Sequence, residues 1–329
     1  KEGANIDRGT DHQVTFRGDK SVTIPAGAKT VSDPVSMHVK SGRDLAVSIY
    51  VQKDSGPATW HSHSIQTSYI STSGNHVSDP SAAAFKTKEE AWLWLTGVDV
   101  KAKASVKGAV VVLGDSIANG NHSTLNANRR WPDDLAKRLN QRPPEHRMSV
   151  LNEGLSANRL LESSPKNGDS AIKRLPRDVF SQAGVTGVIL HEGLNDIRHH
   201  PDENDADKVI AGMKKIIAMT HAKGLNIYGG TLTPFEGSGM YTEKGEKTRE
   251  AVNHWIRTSG AFDGVIDFDT TVVTDANGAY SIPVPYGDKT YDLEVTRNVL
   301  IGGVETPVTF KQKATVGNVT GGESFASEK

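Results

Sequence analysis

The 329-residue sequence contains no cysteine. That excludes disulfides, zinc–thiolate sites and a thiol nucleophile, and it leaves the redox compartment open. Nor is there an excess of either charge: 38 Lys and Arg stand against 39 Asp and Glu. The balance offers neither a basic field for nucleic acid nor a polybasic patch for a membrane surface. No apolar run reaches the roughly 18 residues of a transmembrane helix, so no membrane span is expected. Aromatic residues make up only 6% and glycine occupies 32 positions, an ordinary globular composition rich in turns. The sequence opens on Lys1 without Met and without a signal segment, and it reads as a mature or trimmed chain. Histidine, finally, is absent after His254.

What is present divides into three regions, in keeping with the length. Residues 1–104 read as a β-rich, jelly-roll or sandwich-like domain. Gln13–Phe16, Ser21–Ile24 and Leu45–Val51 alternate or are β-branched, and Pro25-Ala26-Gly27 and Ser41-Gly42 break them as turns. Residues 105–270 alternate strands (109–113, 148–152, 185–191, 225–231, 264–268) with helices (near 131–140, 170–182, 206–222, 243–258). The third helix is the clearest, with Val209, Ile210, Met213, Ile216, Ile217 and Thr220 in one stripe and Gly224 at its end. This alternation predicts an α/β fold with a parallel five-stranded sheet and helices on both faces. Residues 271–329 carry a turn signal at Asp275–Gly278, strands near 279–282 and 291–295, and a polar tail from Gly317.

Sites in such sheets form at the carboxyl ends of the strands. Three of those ends are polar: Gly114-Asp115-Ser116, the stretch Asn152–Arg159, and Glu192–Asp196. A serine at a strand-to-helix turn lies where the helix dipole favours a developing anion. Backbone N–H groups and an Asn amide can serve the same anion, an arrangement suited to acyl transfer.

Together, Gly114-Asp115-Ser116 and Gly193-Leu194-Asn195-Asp196 resemble the SGNH (GDSL) hydrolase family. Asn128–Pro132, Asn158–Leu161, Gly230–Phe235 and Ala251–Arg257 look like a secreted bacterial or fungal esterase subgroup of it, in which a β-rich region precedes the hydrolase. The resemblance covers roughly residues 5–270, including Pro57–His61. It implies a flavodoxin-like doubly wound core, carboxylic ester hydrolysis, an extracellular location, no cofactor and no metal. The substrates it implies are short-chain esters or acetyl groups on glycans. Ser116 matches the nucleophile. The oxyanion donors are its own N–H, the Asn195 amide, and the N–H of Ala157, where the family has glycine. Only an N–H is needed, so alanine can serve there unless the backbone requires positive φ.

The general base has no match. The family takes its Asp and His from a D-x-x-H block after the last strand. Here Asp267-Phe268-Asp269 runs instead into β-like sequence that resembles part of a Cna-B or carboxypeptidase-regulatory-like module. Gly287-Asp288-Lys289 is the nearest echo of the block and holds no His. Without a base a serine hydroxyl is a poor nucleophile at neutral pH. His61, His63, His122, His199 and His200 are substitutes by position only, each with an ordinary loop or turn reading. His191, Glu192, Asp196, His199, His200, Asp202 and Asp205 have metal-ligand types without metal-ligand spacing. Trp92 and Trp94 alternate as on one face of a strand, a packed surface or a sugar platform. A catalytically impaired protein that binds glycans or other proteins is the alternative function. The oligomeric state is not encoded in any visible motif.

Overall fold

The computed structural model describes residues 3–104 and 106–269, together with the backbone of four strands beyond them. Two compact units divide the chain. The first comprises Lys1–Asn158 and Ser163–Val188, the second Arg159–Glu162 and Ile189–Lys329.

In the first unit, β1 (Trp60–Ser62) pairs with β4 (Ala91–Leu93), and β2 (Ser68–Ser71) with β3 (Phe85–Glu89), all antiparallel. These small ladders are the β-structure of the N-terminal region; Gln13–Phe16, Ser21–Ile24 and Leu45–Val51, expected as strands, form none, apart from an isolated bridge at Phe16. The physical reason lies partly in Asp33. Its carboxylate accepts from the Thr15 hydroxyl and from the N–H groups of Arg17 and Gly18, at 2.7, 2.9 and 2.8 Å. Side-chain bonds of this kind compete with a ladder for the backbone. Without a partner strand the alternating residues have no face to bury, and Val22, Ile24 and Ile49 stay exposed. The Trp92–Trp94 alternation also stops, because Trp94 takes φ 59° and ends β4 at Leu93.

The first unit then builds β5 (Ala109–Gly114), α1 (Ser116–Asn119), α2 (Trp131–Asn140), β6 (Ser149–Gly154) and α3 (Ala171–Leu175), the last continuing as a π-helical turn over Pro176–Phe180. Strand β7 (Val185–His191) carries the chain into the second unit. There, α4 (Leu194–Arg198), α5 (Ala206–His221), β8 (Asn226–Gly230), α6 (Glu243–Thr258) and β9 (Gly264–Ile266) succeed one another. The sheet order is β6-β5-β7-β8-β9, and β5 with β6 and β8 with β9 pair in parallel. Val111, Val112 and Leu113 have no exposed surface, as expected of a parallel strand covered on both faces. The α5 stripe predicted from the sequence is buried, and Asp205 caps the helix by accepting from Asp207 N–H. Each of its Val, Ile and Met side chains contributes about 1.5–3 kcal/mol by leaving water.

Beyond Asp269, β10 (Val273–Thr274) pairs with β11 (Tyr280–Ser281), and β12 (Thr290–Ile301) with β13 (Val304–Thr315). The expected turn at Asp275–Gly278, the Gly287–Lys289 echo and the tail from Gly317 lie outside the described residues.

Candidate active site

Strand β5 delivers its last residue, Gly114, into a tight turn. Asp115 is buried and caps α1, its carboxylate accepting from Ile117 N–H at 2.8 Å. Ser116 is therefore the first helical residue, half-buried. Within this unit, among the described residues, its hydroxyl has no histidine partner.

The end of β6 lies against the same helix. Asn152 donates to the Ala118 carbonyl at 2.8 Å and accepts from Gly154 N–H at 2.9 Å. A Cβ on Gly154 would sit 2.2 Å from Asn119 N, so the close approach of β6 to α1 requires glycine. The chain then turns over Leu155–Asn158, closed by Asn158 N–H on the Leu155 carbonyl at 3.0 Å. Ala157 is the third residue of that turn, at φ 57°, where a type II turn calls for a left-handed residue. The glycine position of the family motif is thus one where glycine has a physical purpose, and alanine occupies it under strain.

Two histidine candidates in the N-terminal region, His61 and His63, meet α1 at its far end. His61 Nε2 bonds Asn119 Oδ1 at 2.8 Å, and burial lowers its pKa, which keeps the ring neutral. Asn119 in turn donates to the His63 carbonyl at 2.8 Å and to Asn121 Oδ1 at 2.7 Å. These contacts fasten β1 onto α1. His122 is a left-handed loop residue at φ 67°.

In the second unit, β7 ends in buried His191 and Glu192, and Gly193 at φ 120° opens α4. Asn195 is fully buried, and its Oδ1 accepts from Arg198 Nε at 2.9 Å. The neighbouring Asp196 accepts from Leu160 N–H at 2.7 Å and Leu161 N–H at 2.9 Å. Burial nevertheless pushes its pKa up to about 6. This grip assigns the Asn158–Leu161 motif a structural purpose. His191 stacks on Phe268, with ring centroids 4.3 Å apart, and its burial lowers its pKa to about 4. His200 is exposed and pairs with Asp202. Among the described residues, no three His, Asp or Glu side chains are gathered as metal ligands.

The remaining motifs brace β8 and β9. Asn253 is buried; it accepts from Leu232 N–H at 2.7 Å and donates to the Leu232 carbonyl at 2.8 Å. Asp267 accepts from Thr231 Oγ1 and from Arg257, and Asp269 from Arg249 and Arg257. Both carboxylates are thereby engaged as ion pairs.

Sequence reasoning passed over Arg174. It lies in α3, 2% exposed, and donates to the carbonyls of Gly114 and Glu153 at 2.9 and 2.7 Å. Its Nε donates to Asn158 Oδ1 at 2.8 Å. The available signal was its place on the apolar face of the helix, three residues after Ala171 and one before Leu175. Glu153 is the other omission: burial, then Asp178, push its pKa up to about 7.

The model of the GDSL-like lipase/acylhydrolase family matches residues 112–291. That match runs across residue 270 and does not support a separate Cna-B-like module beginning there. A search of curated proteins finds no match. Among solved structures, Est24, a carbohydrate acetylesterase from Sinorhizobium meliloti, is 19% identical with a TM-score of 0.42 over 51% of this chain and 87% of its own. An aryl esterase from M. smegmatis is 16% identical with a TM-score of 0.43, also over 51% and 87%.

Proposed function

Because the chain belongs to the GDSL-like lipase/acylhydrolase family, we propose that it acts on carboxylic esters through an acyl-enzyme on Ser116. The substrates assigned are short-chain acyl esters and O-acetyl groups on glycans. Ser116 Oγ attacks the acyl carbonyl carbon, and the N–H groups of Ser116 and Ala157 serve the oxyanion, with the Asn195 amide as the further donor that the family resemblance implies. The alcohol then leaves, and water cleaves the acyl-enzyme to release the acid. Secretion belongs to the same reading. What carries it is the placement of Ser116 at the first residue of α1, after the buried Asp115 cap that follows β5, with the end of β6 packed on the same helix at Gly154.

The reading also sets the rate. The general base is not identified among the described residues of this unit, and a serine hydroxyl without one is a poor nucleophile at neutral pH. A triad enzyme stripped of one member retains ~10³–10⁴-fold over water from oxyanion and binding terms alone. Hydrolysis of p-nitrophenyl acetate by the purified chain, beside Ser116→Ala, is the test. A wild-type rate above the variant is expected, with added imidazole raising the wild-type rate by more than it raises the variant's. Equal rates at background would overturn the proposal. That outcome favours a protein that binds glycans or other proteins without turnover, the reading supported by the absence of histidine after His254.

A further inference from the structure

We infer that Arg174 is the positioning residue that fixes the Ala157 turn against the Ser116 turn. The inference rests on the proposed ester chemistry for its kinetic consequence, and on geometry for everything else. A guanidinium is planar and offers five N–H donors in a rigid fork. Here the fork is spread over three chain segments. Nη2 bonds the Gly114 carbonyl, two residues before Ser116; Nη1 bonds the Glu153 carbonyl at the end of β6; Nε bonds the Asn158 side chain, one residue after Ala157. Nη1 also meets Asp178 Oδ2 at 3.2 Å, which places a carboxylate beside this buried cation. Leu155 N–H shares the Gly114 carbonyl with Arg174, at 2.9 Å.

Arg174 thus adds a rigid tie between the two turns to the direct bonds of Leu155 N–H with the Gly114 carbonyl and of Asn152 with the Ala118 carbonyl. Asn158 is itself held from the other side, donating to the carbonyls of Asn167 and Asp169 at 3.3 and 2.8 Å. Those bonds oppose any drift of the Ala157 turn, which is already strained by its positive φ. Donors aimed at a developing oxyanion must hold their place without reorganisation to be effective. Lysine cannot substitute, because a single ammonium on a flexible stem cannot span the three acceptors.

The test uses the full chain and p-nitrophenyl acetate. Arg174→Lys is expected to lower kcat about 10²-fold, the scale of one lost oxyanion donor, with KM within about twofold. Guanidinium chloride at millimolar concentration is expected to restore part of kcat in Arg174→Ala and none in Ser116→Ala. If Arg174→Lys does not fold, Asn158→Ala cuts the link to the turn with Arg174 in place, and the same kcat loss is expected. Unchanged kcat in folded variants, or a fall in melting temperature without the kcat loss, overturns the inference. If the wild type shows no Ser116-dependent rate, the ester reading has failed, and amide exchange decides the positioning instead. Faster exchange of Leu155 and Asn158 in Arg174→Lys then upholds it, and unchanged exchange refutes it.

Discussion

Ala157→Gly tests the local reading of the site by sign alone. Ala157 sits at φ 57° in a turn closed by Asn158 N–H on the Leu155 carbonyl. A left-handed conformation costs an L-residue roughly 1–2 kcal/mol. Glycine removes that strain, but its freer unfolded chain takes back about 0.4–1 kcal/mol. The net expectation is a stabilisation of about 0.5–1 kcal/mol, seen as a rise of roughly 1–3 °C in melting temperature. Urea unfolding followed by circular dichroism should show a higher midpoint with an unchanged m-value, which locates the effect in stability and not in denatured-state compactness. If the alanine occupied ordinary extended or helical space, the same substitution would cost about 0.5–1 kcal/mol. A lower midpoint therefore refutes the turn geometry.

Charge and hydrogen bonding set two further outcomes. Glu153 has a folded pKa of about 7 against an ordinary 4.5, raised by burial and then by Asp178. Its contribution to stability is fully present below pH 4.5 and is lost as pH rises through 7, by an amount on the order of 2 kcal/mol after allowing for partial solvent access. Glu153→Gln should flatten that loss and be more stable than the wild type at pH 8; a wild type whose urea midpoint is flat from pH 5 to 8 would contradict it. Asn253→Ala strands the buried Leu232 N–H, whereas Arg249 still serves the Leu232 carbonyl. A loss of about 2 kcal/mol in urea unfolding is expected, and a loss near zero would mean the bond is replaced by water.

The core was legible wherever burial is continuous. Ala109–Leu113 reads as a strand because nothing in it tolerates water, and the α5 stripe reads as a helix because its period is 3.6 residues. Residues 13–51 were misjudged for a reason of principle. Alternation says what a strand would bury, but not whether a partner strand exists, and next to Gln13–Phe16 the Asp33 carboxylate gives the Arg17 and Gly18 backbone other bonds. The strand-to-helix turn that places Ser116 at the start of α1 was legible. Arg174 was not, since a lone arginine between Lys173 and Leu175 looks like a solvated charge until its acceptors, up to 60 residues away, are known. The Ala157 substitution was visible in sequence, but its strain needed a φ.

The hold of Asp196 on Leu160 and Leu161 has a consequence for synthesis of the chain. Arg159–Glu162 belongs to the second unit although it is embedded in the sequence of the first, so neither unit can be excised by a single truncation. Leu160 also leaves the ribosome 36 residues ahead of its carboxylate acceptor. At about 5–20 residues per second that is a delay of roughly 2–7 s. During that interval these two amides lack the carboxylate that holds them in the folded chain.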